Sequence, residues 1–537
     1  MAERRTVRPV ARWTGRARRR DAAAPVAGLV ALVLALGLAI GTELTPGSAG
    51  ASIRRARSPI TKPGPADWPT YGHDAQHTFH GETTLTEATA PTLHPAWFFP
   101  TGDAVTATPT VVDGTVYAGS WDDVFYAVDL ATGHLVWKYQ LSPQDAVTPY
   151  PGEPVRDFSS DGGLVTASAW FQPGNGTRPD LVIFGGGYTL YALNAHTGAL
   201  YWRHDYTGQP SRPPRPNLDG TRIFSSPVVA DGKVLFGVDV DGQHGERGYV
   251  VAASLATGKP VWTYQTDVDD AGRILNDGCG NVWSSGSIIP RAGLVVFDES
   301  DCKFSNPPPT AETVFALRIA DGHLAWQYRP HRPDTLCDWD FGATANVGLA
   351  ANGAATFLGV GGKDGTYYSL DPATGRLRWK TNVVFGGFSG GFSGTAAYDG
   401  HQVVGSTGIG DFGRFESNGP GLCDAANPAD QQMQEPTVHA FDVATGAVRW
   451  QADGGASFGA TTIAGGMSFN GLALHDAVQV RDVSTGRLLD SISLPAPSWS
   501  GIATVGDAVI FGTGASEVGS PDGILAYTPD GTPPAGP

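Results

Sequence analysis

The sequence predicts an all-β fold, an eight-bladed β-propeller closed by its own N-terminal strand. Three observations carry that expectation: a strand–turn–strand unit that recurs seven times, a tryptophan at a fixed distance after most of the turns, and a composition rich in turn formers. Gly (72) and Pro (40) are abundant among the 537 residues, and charged side chains make up only 16%. That is the balance of a turn-rich β protein rather than a helical or disordered one.

The seven copies begin at Ala127, Ala192, Ala252, Ala316, Ser369, Ala440 and Val480. Each reads as a strand, a tight turn with Gly at a position that needs positive φ, and a second strand. Four residues after that Gly stand Trp137, Trp202, Trp262, Trp326, Trp379 and Trp450, while the seventh copy has Asp490. Upstream of each copy lies another pair of apolar runs joined by a short turn, such as Asp113-Gly114, Asp231-Gly232 or Asp399-Gly400. Four strands per unit is the pattern of propeller blades. An eighth unit, around Gly506, stops before its last strand. A spare strand at Leu93–Pro100 carries Trp97 where a blade tryptophan belongs. The expected closure joins the two and removes an open edge; seven blades is the alternative count. The repeat tryptophans are expected to wedge between blades and donate through their indole N–H, rather than to form a ligand cage.

The first twenty residues hold eight arginines, an apolar run extends from Ala22 to Ile40, and Ala49 and Ala51 form an Ala-x-Ala site. These features make residues 1–51 an export signal or an uncleaved membrane anchor. The expected organisation continues with a linker at 52–66, a single propeller over 67–530 and a disordered tail at 531–537. Without residues 1–51 the chain keeps 28 basic against 49 acidic residues, a balance that argues against binding nucleic acid or anionic lipid. The four cysteines (Cys279, Cys302, Cys337, Cys423) of an exported chain suggest two disulfides with three open pairings. No Cys-x-x-Cys-His motif for haem and no His/Cys spacing for zinc occurs.

Strands that run up and down assign the short Asp-Gly and Thr-Gly turns to one face and the long connections to the other. Those long segments are 141–162, 207–221, 267–284 and 330–341, together with 239–248, 298–312 and 409–436, and they include all four cysteines. Function is expected on that loop face.

With its opening run Trp68-Pro-Thr-Tyr-Gly-His-Asp-Ala-Gln-His-Thr78, the sequence resembles the pyrroloquinoline quinone (PQQ) dehydrogenase superfamily, in particular its polyvinyl-alcohol-dehydrogenase-like branch. The resemblance covers roughly residues 67–530. The segment from Asp241 resembles one where the family has a calcium-binding Glu, which puts Gln243 there. The stretch from Val282 resembles one that opens on a Trp beneath PQQ and closes on a metal-binding Asn; these positions fall on Trp283 and Asp301. The run from Ala311 aligns Glu312 with the family's base. The run Gly361-Gly-Lys-Asp-Gly resembles the segment whose Lys or Arg contacts the PQQ carbonyls, giving Lys363. Cys337-Asp-Trp-Asp-Phe, with Trp339 and Asp340, is similar to another family signature, and the resemblance places Asp340 toward the cofactor. The vicinal cysteine pair of methanol-dehydrogenase relatives is absent.

The resemblance implies an exported, alcohol-oxidising enzyme that uses PQQ and Ca²⁺ on a small or polymeric alcohol, secondary alcohols included. Electrons would pass to a separate acceptor such as a cytochrome c or a quinone. A planar anionic quinone needs a flat ring beneath it and a cation at its carbonyl. Ca²⁺ needs oxygen ligands, and a carboxylate must take the hydroxyl proton. His73, Asp74 and His77 are read as structural hydrogen-bonding groups. The alternative reading is a non-catalytic propeller like the assembly lipoprotein BamB, which binds a protein or polymer, since fold alone does not give function.

Overall fold

Each repeat unit folds into one antiparallel sheet, and eight such sheets form the propeller. The structure is a computed structural model. It describes residues 63–141, 165–206, 222–239, 248–266, 268, 280–300, 311–330, 339–387, 390–411, 431–433, 435–514 and 521–535. From the axis outward, blade 5 runs Asn346–Leu349, Ala355–Gly361, Thr366–Leu370 and Leu377–Asn382. Blade 6 adds a short hairpin, Ile409–Asp411 with Gln431–Met433, to its loop face. Middle strands such as Leu181–Gly186 are buried along their whole length. They read as continuous apolar runs because a neighbouring blade covers each face.

The predicted closure is present. Leu93–Pro100 pairs antiparallel with Gly523–Pro529, Phe98 facing Leu525, and so completes blade 8. The segment 531–535, expected within a disordered tail, is instead held on that blade: the Ala535 N–H donates to the Asp507 carboxylate at 3.0 Å.

The tryptophans lock each blade to the next. The indole N–H of Trp97 donates to the Leu130 carbonyl (2.8 Å), and Trp202 does the same to Leu255 (3.0 Å). The series runs round to Trp450 and Val483 (2.9 Å). Each such bond contributes about 1 kcal/mol net. The ring also lies on the glycine of the next blade's turn. A Cβ at Gly258, where φ is 69°, would come within 2.6 Å of the Trp202 ring. That glycine is therefore required twice, for its φ and for the ring above it. In blade 8 the turn that follows the third strand, Asp530-Gly531, is met instead by Pro95 and His94 of the N-terminal strand, and the seventh copy carries Asp490 in place of a tryptophan.

The segment Trp68–Thr84 threads the propeller axis. Val111 of blade 1 exchanges backbone hydrogen bonds with Trp68, and Phe171 of blade 2 donates to Pro69. Ile288, Val347, Tyr398 and Ile463 of blades 4 to 7 donate to Ala75, Gln76, Thr78 and Phe79, and Thr84 donates to Gly506 of blade 8. This N-terminal arm closes the channel on the side of the short turns. The inner strands would otherwise leave amides unpaired there.

Candidate axial site

Two residues before the inner strand, six of the eight blades carry a hydroxyl: Thr108, Ser168, Ser226, Ser285, Thr344 and Thr395. The backbone N–H of Ser168 donates to the Ser226 hydroxyl, Ser226 to Ser285, Ser285 to Thr344 and Thr344 to Thr395, each at 2.9–3.0 Å. This girdle surrounds a cavity of about 240 Å³ on the axis, with Phe224, Trp283, Phe458 and Trp499 in its walls. Tyr71 of the arm also lines the cavity, its hydroxyl 2.9 Å from that of Thr395. Burial pushes the Tyr71 phenol up to about 12, with Thr395 and Thr344 opposing and Asp298 adding. The phenol is neutral at physiological pH.

Trp283 lies at this cavity rather than between blades. It packs against Gly342, where a Cβ would stand 2.9 Å from the ring. The Lys363 ammonium is 5.4 Å from the ring centroid, within cation–π range, and 2.7 Å from the Asp340 carboxylate. Both partners are buried, Asp340 completely. The backbone holds the pair in register, since the Lys363 N–H donates to the Asp340 carbonyl at 2.9 Å. A buried pair of this kind must be satisfied in full, because either charge alone would be costly to keep out of water. The Ser300 hydroxyl supplies a further donor to Asp340.

Of the residues anticipated from sequence, Trp283, Asp340 and Lys363 therefore come together. Glu312 is buried one strand away at φ 56°, and its N–H donates to the Ser300 carbonyl at 3.3 Å. It reaches Asp340 through the residue whose hydroxyl Asp340 accepts. Gln243, Asp301, the four cysteines and the export segment lie outside the described residues. Among the described residues, no group of three or more His, Cys, Asp or Glu side chains is disposed to hold a metal ion. None of their helices is long and apolar enough to cross a membrane.

Sequence reading missed Asp298, Glu299 and the hydroxyl girdle. Asp298 ends the second strand of blade 4 and Glu299 follows it, and both are buried. Burial raises the Asp298 carboxyl well above the usual carboxylate range; a Ser284 hydroxyl lowers it and the Asp340 charge raises it further. The girdle has a legible signal in the Ser or Thr that recurs two residues before the inner strands. Asp298 has none, because its burial is a tertiary fact.

An eight-bladed propeller with a polar, aromatic-walled axial cavity and a buried Lys–Asp pair is the class of protein that this fold and site define. The sequence matches the model of the glucose/ethanol/alcohol dehydrogenase β-propeller domain (PQQ) over residues 68–383, more than half of the chain. The chain belongs to that family. Residues 312–510 also match the model of the outer membrane protein assembly factor BamB. The dehydrogenase subunit of alcohol dehydrogenase (quinone) from Komagataeibacter europaeus is 26% identical over 61% of this chain and 47% of its own length. Polyvinylalcohol dehydrogenase from a Pseudomonas species is 24% identical over 68% of this chain and 58% of its own. The chain thus spans about half the length of the curated relatives it matches. The crystal structure of quinohemoprotein alcohol dehydrogenase from Comamonas testosteroni superposes with a TM-score of 0.65 at 19% identity. It covers 87% of this chain and 81% of that one, and the agreement is one of fold.

Proposed function

We propose that this propeller is an exported quinoprotein dehydrogenase that binds PQQ in the axial cavity and oxidises an alcohol. The observation that carries the reading is the Lys363–Asp340 pair beside the half-buried ring of Trp283. The cavity fits such a group: a flat ring whose neighbour is glycine, a cation near the ring, and a girdle of hydroxyls able to donate to carboxylates. Trp283 would form the floor and Lys363 would face the quinone carbonyls. Gln243 and Asp301 remain the proposed oxygen ligands for Ca²⁺, whose preference for such ligands is general. When bound, PQQ would supply the two-electron acceptor that these side chains lack.

Asp340 is the better proton acceptor of the two carboxylates. It is fully buried, ion-paired to Lys363 and supported by the Ser300 hydroxyl. The Lys363 ammonium lies 2.7 Å from it, and the Ser300 hydroxyl donor fixes its orientation. Glu312, first aligned with the base, is assigned the supporting place behind Ser300. The aromatic walls favour substrates with apolar chains, polymeric or secondary alcohols among them, and the electron acceptor is a separate cytochrome c or quinone.

Reconstitution of the purified protein with PQQ and Ca²⁺, followed by dye reduction across a series of alcohols, tests the reading. Turnover that D340N abolishes supports it. Binding without turnover, or no binding, favours the alternative of a BamB-like propeller that presents its loop face to a protein or polymer.

A further inference from the structure

The dehydrogenase reading leaves the arm's histidines unused, although they stand in the first motif of the sequence. His77 is fully buried where the arm crosses the axis. Its Nδ1 is 2.6 Å from the Tyr71 carbonyl oxygen and its Nε2 is 3.0 Å from the Gly286 carbonyl oxygen. Carbonyl oxygens only accept hydrogen bonds, and a neutral imidazole carries a single N–H. In a neutral ring one of the two contacts would set a nitrogen lone pair against an oxygen lone pair. Only the doubly protonated ring satisfies both.

We propose that His77 is a buried imidazolium cation that pins the N-terminal arm across the propeller axis and so positions Tyr71 at the floor of the axial cavity. The groups that face it agree. On the arm, the Asp74 carboxylate favours the cation and is itself fixed by the N–H groups of Gln76 (3.0 Å) and Thr78 (3.1 Å) and the Thr78 hydroxyl (2.6 Å). Tyr71 presents its carbonyl and a neutral phenol, and its ring lies 5.4 Å from the imidazole. From blade 4 comes the Gly286 carbonyl. From blade 5 comes Asn346, an uncharged amide that donates to the His77 carbonyl at 2.6 Å. Asp298 of blade 4 bears on Tyr71. Burial is the largest single influence on the ring and pushes it toward the neutral form. With both carbonyls and Asp74 opposing it, burial still holds the ring below its ordinary value; against that stands the paired-acceptor geometry, which in a neutral ring would set one nitrogen lone pair against a carbonyl lone pair.

A pin is needed here. His73, His77 and Phe79 all adopt left-handed φ, at 76°, 51° and 49°, a conformation that persists only when its surroundings over-determine it. His77 ties this strained stretch to Tyr71 on the arm and to Gly286, just before the blade 4 inner strand. Tyr71 is thereby held with its hydroxyl on Thr395, in the wall of the cavity. His77 is a positioning residue, and the proposal holds whether or not a quinone binds above it.

Histidine-selective ¹⁵N labelling of the full chain reads the charge directly, since a doubly protonated ring and a neutral tautomer give distinct signals. His439 is an internal control. It is buried, accepts the Gln451 amide at Nδ1 (2.9 Å) and is pushed down to about 3 by burial. Between about pH 5 and 8, the range in which free histidines titrate, neither His77 nor His439 should move, the first staying doubly protonated and the second neutral. If every non-titrating ring is neutral, the proposal is overturned.

Thermal melting against pH gives the second arm. A cation whose folded pKa lies above its ordinary value of about 6.5 stabilises fully below that value, and the contribution is lost as pH rises through the folded pKa. The wild-type melting temperature should therefore fall over that alkaline range, whereas H77Q should melt lower and lack that step. An unchanged alkaline step in H77Q would also overturn the assignment.

Discussion

Blades 1 and 5 share one backbone junction and fill it with different chemistry. In both, the residue two positions past the second strand donates its N–H to the carbonyl six residues before the inner strand. The pair is Trp121 with Ala104 in blade 1 and Lys363 with Asp340 in blade 5, each at 2.9 Å. The Trp121 indole goes on to donate to Thr106 at 3.0 Å, which makes a structural corner. The Lys363 ammonium turns back onto the Asp340 side chain and makes a buried ion pair. Blades 4, 6 and 7 repeat the junction with Ser300, Gly408 and Ala473. The repeat thus sets where side chains project, and a single pair of side chains within it turns a corner into a buried ion pair beside the axial cavity. That is how a fold of near-identical units carries one site.

The largest expected effect breaks blade 5 at that junction. D340N should lower turnover of the reconstituted protein by roughly 10²–10⁴-fold, the usual worth of a positioned base. Loss of one member of a buried pair should also cost about 3–5 kcal/mol, measured by urea unfolding. The matching change in blade 1, W121F, should spare turnover because it removes one neutral hydrogen bond, to Thr106, and no charge. Equal loss in both variants would contradict the comparison.

A framework residue should behave in the opposite way. W202A removes a ring that covers Gly258 and donates to Leu255, and should cost about 3–5 kcal/mol of stability. Affinity for PQQ, measured below the unfolding transition, should be unchanged. A third expectation concerns the excess acid of blade 4. Burial raises the Asp298 carboxyl, so the folded state holds its proton where the unfolded chain has lost it. Stability from this group is greatest in acid and falls as pH rises from about 4 through the folded value. D298N should remove that decline, so its advantage in melting temperature over the wild type should grow toward neutral pH. The smallest effect belongs to D490W, which should alter stability by no more than about 0.5 kcal/mol, because the turn glycine of blade 8, Gly531, is already met by the N-terminal strand.

The framework was legible because its determinants are local. A glycine with positive φ, a tryptophan four residues on and an apolar run between them recur at short range, and even the spare strand with Trp97 announced the closure. Trp283 and Lys363 were legible through motifs, and Asp340 through its neighbour Trp339. The burial of Asp298 and Glu299, the relation of Glu312 to Ser300 and the course of the arm were not. Each depends on which blade stands beside which, and partners such as Tyr71 and Thr395 are 324 residues apart in sequence. His77 looked like one polar group among several in a loop; only the two carbonyls that face it set it apart.

In the proposed function, the axial cavity of this propeller binds PQQ between Trp283 and the Lys363–Asp340 pair. Titration of the purified protein with PQQ in the presence of Ca²⁺, followed by calorimetry, tests it most directly. One site per chain is expected, with binding lost in K363A and weakened in W283A while W121F binds as the wild type does. Binding that survives K363A and W283A unchanged, or no binding to the wild type, would contradict it.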